Sequence, residues 1–289
     1  MENASETSTP GRLKNILGLV CSPRRLGNCE LLIKEVSARL GTPHRLKLLR
    51  LPRFEIHPCN ACYSCLETGQ CCLKDDLPAV LDAMCEADAI VLASPTYFLG
   101  PPACLKALLD RGLSFYSRGD ALWGKPALGA VIAGIPGKEG YTKLGVESLL
   151  KCLLADIRAS GVFYGALPGE ILQDGANLER IAELAASLEE GNDESQGLCP
   201  VCGGDTFRFL SPSRVRCMLC SNEGEAHVTE DGIAFAVRPG EHEIFTDRDT
   251  ALRHADWLRG MKERFRDKKR ELLSLSKKYK DVGEWIEPS

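Results

Sequence analysis

The stretch Asn15-Ile-Leu-Gly-Leu-Val-Cys21-Ser-Pro-Arg-Arg-Leu-Gly27-Asn28 decides the fold. A continuously apolar run, Asn15–Cys21, passes into a turn-forming segment, and an amphipathic pattern follows over Gly27–Leu40. An apolar run without polar alternation reads as a strand buried on both faces, as in a parallel sheet. Outward from it the rhythm repeats. Strand-like runs at His44–Leu51, Ala89–Ala93, Pro126–Ala133 and Val162–Leu167 alternate with helical patterns at Leu77–Glu86, Pro102–Phe115, Tyr141–Ser160 and Leu178–Glu189. This alternation predicts an α/β fold, a doubly wound parallel sheet with helices on both faces. Arg53–Asp76 interrupts it with a long cysteine-rich insert.

With 289 residues, 44% hydrophobic and 26% charged, the chain has ordinary globular composition and length for roughly two domains. Residues 1–12 are polar and are expected to be a disordered tail; 13–190 hold the sheet and its cysteine loop 57–76. Residues 191–197 read as a linker. Beyond it, 198–245 show short β-like runs at Thr206–Leu210, Val215–Cys217, Ala226–Thr229 and Ile233–Val237. Residues 246–289 turn helical, with Thr246 and Asp249 placed as a reciprocal cap. There Leu252, Ala255, Leu258, Met261, Phe265, Leu272, Leu275, Tyr279 and Val282 form one stripe, expected to pack, with a solvated Lys/Arg face opposite. No apolar run approaches the ~18 residues of a membrane span, and Met1–Pro10 lacks a basic leader, so a cytoplasmic protein with no membrane insertion is expected. A net charge of −4 gives no global field for nucleic acid.

The turn after the first strand lies where open α/β sheets bind ligands. A helix N-terminus there offers unpaired N–H groups to a phosphate, Ser22 and Asn28 add donors, and Arg24 adds a cation. The loop is neither GxGxxG nor GxxxxGK[ST].

Fourteen cysteines are present, most in two tight clusters. Cys59-x2-Cys62-x2-Cys65-x5-Cys71, with Cys72 adjacent, has the wrap-around spacing of an iron–sulfur loop. Zinc and free redox-active thiols are the alternatives. Cys199-x2-Cys202 and Cys217-x2-Cys220 form two knuckles of a tetrahedral S4 site, for structural Zn2+ or a redox iron. His227 and His242 are expected to face solvent, and Cys85, Cys104 and Cys152 to be small buried hydrophobes.

Ser22, Pro23, Arg24, Gly27 and Asn28 resemble the GSPRxxGNT loop of the NADPH-dependent FMN reductase family of flavodoxin-like proteins. Cys21 stands where that family has Gly, and Cys29 where it has Thr or Ser, a weaker donor. Ser94–Pro101 resembles the family's SPxYxxxxP loop, and Gly134–Gly137 its glycine-bearing loop. The resemblance spans Lys14–Glu189 and implies bound FMN. Its ligands would be Ser22, Arg24, Gly27, Asn28 and Cys29, then Pro95, Thr96, Tyr97, Phe98, Leu99 and Gly100, then Gly134 and Gly137. Within that family the compact cysteine insert marks the iron–sulfur flavoproteins. It implies a [4Fe–4S] cluster on Cys59, Cys62, Cys65 and Cys71, with Cys72 the alternative fourth ligand. It further implies ferredoxin or NAD(P)H as donor and a homo-oligomer, dimer or tetramer.

The expected protein is thus a flavodoxin-like iron–sulfur flavoprotein with a zinc-ribbon-like subdomain and a C-terminal helix. It would pass electrons between donor and acceptor through FMN and the cluster, with no catalytic side chain required. Two alternatives stay open: an NAD(P)H-dependent flavin or quinone reductase without a cluster, and a docking or electron-transfer subunit of a larger redox complex.

Overall fold

The computed structural model describes residues 15–190, 198–230, 232–280, 282–284 and 286. The expected tail 1–12 and linker 191–197 lie outside the described residues. The first unit runs β1 (Asn15–Val20), α1 (Asn28–Arg39), β2 (Arg45–Arg50), α2 (Ser64–Thr68), α3 (Leu77–Glu86), β3 (Ala89–Pro95), α4 (Ala103–Asp110), α5 (Gly119–Leu122), β4 (Pro126–Ala133), α6 (Thr142–Cys152), β5 (Asp156–Tyr164) and α7 (Gly175–Glu190). The five strands pair in parallel in the order β2-β1-β3-β4-β5, the flavodoxin-like winding.

The continuity of the first apolar run now has its reason. Ile16 and Val20 point to one face, where Leu32, Ile33 and Val36 of α1 and Ile181, Leu184 and Leu188 of α7 bury against them. Leu17 and Leu19 point to the other, against Val80 and Met84 of α3, Leu105 and Leu108 of α4 and Val146 and Leu149 of α6. With side chains alternating at period two, a strand covered on both faces must be apolar at every position. Each fully buried aliphatic side chain contributes about 1.5–3 kcal/mol relative to exposure.

Three boundaries in the first unit differ from expectation by more than three residues. α6 ends at Cys152 rather than Ser160, and β5 begins at Asp156 rather than Val162. Leu154 takes a left-handed φ of +49° and breaks the helix, and β5 is an edge strand, so its half-exposed Asp-Ile-Arg-Ala-Ser start lacks a buried strand's signature. α4 ends at Asp110 rather than Phe115, and a 3-10 segment continues over Gly112–Arg118. There Cys152 Sγ comes within 2.6 Å of where a Cβ on Gly112 would sit, so the chain approaches α6 too closely for any side chain. The C-terminal cap is Asp247 with Thr250, one residue past the expected pair: Asp247 accepts the Thr250 N–H at 2.8 Å and the Thr250 hydroxyl accepts the Asp247 N–H at 2.9 Å.

The second unit is an antiparallel sheet in the order β6 (Phe207–Phe209), β7 (Arg214–Cys217), β8 (Glu223–Thr229) and β9 (Gly232–Val237). Its core is small: Cys199, Val215, Cys217, Leu219 and Val237, with Leu144 of α6 packed against it. Lys143 of α6 pairs with Asp205 at 2.8 Å. Then α8 (Arg248–Lys277) returns to the first unit and buries Ala255 and Leu258 against Leu66 of α2. The expected packed stripe holds only there. No described residue of α8 beyond Leu258 is buried, and Phe265, Leu272 and Leu275 are 50%, 41% and 57% exposed. No described helix is long and apolar enough to cross a membrane.

Candidate functional site

The loop after β1 is held from beneath. Arg50, at the end of β2, donates to the Ser22 carbonyl at 2.9 Å, to the Arg24 carbonyl at 2.5 Å and to the Glu30 carboxylate at 2.5 Å. Glu30, in the first turn of α1, also accepts the Leu26 N–H at 2.8 Å. Burial disfavours the Glu30 carboxylate, but hydrogen bonds from Lys34, Arg50 and the Leu26 N–H outweigh it and hold its pKa at about 2. Gly27 precedes α1 and supplies no side-chain cap, leaving the first helical N–H groups for an anion.

Around this loop lies a cavity of about 300 Å3. Ser22, Arg24, Gly27, Asn28 and Cys29 line one side; Pro95, Thr96 and Tyr97 after β3, and Gly134 after β4, line the others. Three separate sequence segments thus meet at one place. A fourth, Gly165–Pro168 after β5, carried no recognisable pattern, although its backbone lines the same cavity. Asn28 ties it in: its amide donates to the Gly165 carbonyl at 2.9 Å and accepts the Gly169 N–H at 2.8 Å, so Asn28 shapes the wall rather than offering free donors. Burial pushes the Cys29 thiol up to about 12, keeping it neutral and a weak donor. The Thr96 hydroxyl is buried without a partner, the orphan expected where a polar ligand belongs.

Phe98, Leu99, Gly100 and Gly137 do not line the cavity. Tyr97 and Gly100 exchange backbone bonds of 2.8 and 3.1 Å, which lifts Phe98 and Leu99 outward at φ +48° and +65°. Gly140, at φ +55°, faces the Leu99 carbonyl so closely that a Cβ would lie 2.0 Å from its oxygen. The result is an exposed rim of Tyr97, Phe98, Leu99, Ile135 and Tyr141.

The two cysteine groups are in different states. Cys199, Cys202, Cys217 and Cys220 have all four Sγ atoms within 4.8 Å of one another. Cys199 and Cys220 stand 3.8 Å apart and Cys202 and Cys217 3.6 Å. A metal–sulfur bond of about 2.3 Å in a tetrahedron sets sulfurs about 3.8 Å apart, so the quartet fits one ion. Hydrogen bonds from its three neighbours pull the Cys199 thiol far down, and that thiolate in turn pushes Cys202 and Cys220 up. The four cannot ionise together without a cation. His227 and His242 are exposed, as expected, and His242 bonds His254 at 2.8 Å.

Among the described residues, the compact loop holds no such gathered quartet. Cys62 Sγ lies 3.3 Å from Cys72, while Cys71 accepts from Arg111 Nη2 at 3.0 Å. Arg111 is 1% exposed and its partner Asp75 0%. The guanidinium donates to Asp75 at 2.5 Å and to the His57 carbonyl at 2.9 Å, and its Nε is buried without a partner. A buried cation that donates to a thiol sulfur and keeps one donor unused suits an anionic thiolate-bound group. Nothing in Leu109-Asp110-Arg111-Gly112 announces this role. Over the loop lies α8: Arg259 donates to the Leu66 carbonyl at 3.1 Å, and Lys262 pairs with Glu67 at 2.5 Å. Elsewhere, a cavity of about 510 Å3 between β5, α6 and the ribbon is lined by Lys143, Glu147, Arg158 and Asp205, whose charges chiefly pair with nearby groups.

The family model that matches, over residues 14–148, is NADPH-dependent FMN reductase. An iron–sulfur flavoprotein of Methanocaldococcus jannaschii is 32% identical over 187 residues, covering 61% of this chain and 95% of that protein. An iron–sulfur flavoprotein of Methanosarcina thermophila is 31% identical over 137 residues, covering 46% of this chain and 70% of that protein. Among solved structures, a flavone reductase superimposes with a TM-score of 0.71 at 18% identity, covering 95% of this chain and all of that one, which shows a shared fold.

Proposed function

This chain belongs to the iron–sulfur flavoproteins of the NADPH-dependent FMN reductase family, oxidoreductases with a flavin-based redox role, and from that membership we propose that it relays electrons through FMN and a [4Fe–4S] cluster. The observation that carries the reading is the buried Arg111 guanidinium, donor to Cys71 with Nε to spare, on the same body as the uncapped α1 start. When bound, FMN supplies one- and two-electron chemistry and the cluster one-electron chemistry, so side chains need only hold, orient and exclude water.

In this reading Arg24 and the N–H groups at the start of α1 hold the phosphate. The unpartnered Thr96 hydroxyl would offer a hydrogen bond to the flavin, and Pro95–Tyr97 and Gly134 would wall it in. Cys59, Cys62, Cys65 and Cys71 hold the cluster, with Arg111 and Asp75 fixing Cys71. Cys199, Cys202, Cys217 and Cys220 hold one Zn2+ that staples a ribbon too small to support its own core. Reduced ferredoxin or NAD(P)H serves as donor, and the assembly is a homo-oligomer. Flavin and metal analysis of anaerobically purified protein tests this: one FMN, four irons and one zinc per chain are expected, and released FAD or absent iron would refute it.

A second reading is an NAD(P)H-dependent reductase of planar conjugated acceptors such as quinones, with no cluster. The exposed rim of Tyr97, Phe98, Leu99 and Tyr141 favours it, because a flat apolar acceptor would cover that rim. Iron content separates the two.

A further inference from the structure

The strip that α8 leaves open is not a random solvated face. It is the continuation of the stripe that, two turns earlier, buries Ala255 and Leu258 against the cysteine loop's own helix. At 100° per residue, Phe265, Leu272 and Leu275 follow Leu258 along one side, and Tyr279 lies in the turn just past the helix end. All four are more than 40% exposed. From Arg259 to Lys277 the helix runs about 28 Å at 1.5 Å per residue, so the strip starts at the cysteine loop and leads away from it.

Its charge is one-sided. Residues 262–280 contain nine Lys and Arg against three Asp and Glu, a net +6 in a chain whose total is −4. Lys262 and Lys269 border the strip on one side and Arg264 and Glu271 on the other, and Lys268 lies within it; Glu263 and Asp267 lie off it. Lys262 pairs with Glu67, and among the described residues no ion pair joins side chains within 263–280, so the charge of the rest is not neutralised along the helix. A second α8 laid along the first would oppose like charges, which argues against helix-to-helix self-pairing. The other end of the strip meets the loop on which Cys59, Cys62 and Cys72 are exposed.

We infer that distal α8 is the docking seat for a small acidic one-electron carrier protein, which it brings to the edge of the cysteine loop. This rests on the cluster reading above, takes from it a one-electron donor, and adds the place on the molecule where that donor docks. Apolar contacts along Phe265, Leu272 and Leu275 hold the carrier, and the flanking Lys and Arg side chains steer it. On docking, the reduced carrier gives up one electron and the cluster takes one; no bond forms or breaks.

The test is binding, measured apart from turnover. A fluorescently labelled acidic ferredoxin is titrated with full-length protein by anisotropy, with a basic cytochrome c as control. The ferredoxin should bind at low salt, lose at least tenfold in affinity when salt is raised tenfold, and the cytochrome should not bind. Lys268→Glu with Lys269→Glu, and separately Leu272→Asp, should each weaken ferredoxin binding at least tenfold with iron and flavin content unchanged. Unchanged affinity in both variants, or no binding by the parent protein at low salt, overturns the seat. So does a fall in native mass on light scattering in those variants, which would make a second copy the occupant. Iron is assayed on every sample: ferredoxin binding without iron would sink the cluster reading and leave the seat standing, whereas full iron without binding would do the reverse.

Discussion

The ribbon quartet and the compact loop each bring cysteines together, yet among the described residues only the ribbon's four stand close enough to share a single ion. In the ribbon, two β-turn knuckles bring four Sγ atoms within 4.8 Å. In the loop, Cys71 is held by a buried arginine, Cys62 leans on Cys72, and the segment is pinned from outside by α8. The ribbon's sulfurs are its core; the loop's are attached to someone else's. Removing metal should therefore unfold the first site and merely loosen the second.

The largest effect tests the first half of that contrast. With so few buried apolar side chains in the ribbon, binding free energy there is folding free energy, on the order of 10 kcal/mol at a structural zinc site. Cys202→Ser or chelation should open residues 198–245 to protease while flavin content stays unchanged. A ribbon that stays protected after metal removal would break the comparison.

The next effect probes the loop. Arg111→Met leaves the buried Asp75 carboxylate without its cation, held only by the His57 and Leu77 N–H groups, which should cost about 3 kcal/mol and reduce iron incorporation. Adding Asp75→Asn should recover part of that loss, and calorimetric melts of the four-protein cycle report the coupling. If Cys72→Ala loses the iron and Cys71→Ala keeps it, the fourth ligand is Cys72, the residue already beside Cys62.

Arg24→Ala should weaken FMN by about 1.5–3 kcal/mol, the range for a hydrogen bond to a charged group, read by fluorescence titration of apoprotein. It should leave both cysteine sites intact. Loss of iron in this variant would mean that the loop after β1 and the cysteine loop fold as one unit.

How legible these features were depends on whether their signal is local. Asn15–Val20 announced a doubly covered strand because burial on both faces forces every position apolar. The ribbon's knuckles announced a gathered cysteine quartet because both halves of a CxxC sit in one turn. Arg111, Arg50 and Gly165–Pro168 gave no sign, since each acts through contacts with residues distant in sequence. The edge strand β5 was misplaced for a related reason: half exposed, it has no apolar run to display. In α8 the periodicity correctly marked an apolar stripe but carried no information about what covers it.

The smallest effect concerns the brace under the flavin loop. Glu30 has its pKa lowered from 4.5 to about 2, so its contribution is fully present above pH 4.5 and is lost as pH falls toward 2. The sign follows from linkage: the unfolded carboxyl binds its proton first, so acid favours states in which the Glu30–Arg50 brace is broken. Glu30→Gln keeps an acceptor for the Leu26 N–H but removes the charge facing Arg50 and Lys34. At neutral pH it should cost about 1 kcal/mol in FMN affinity, less than Arg24→Ala, because the brace acts through loop shape rather than by touching the phosphate. Across pH 5 to 2 the parent protein should lose affinity more steeply than Glu30→Gln. Parallel curves would show that Arg50 alone, through the Ser22 and Arg24 carbonyls, sets the loop, and that the carboxylate is incidental to it.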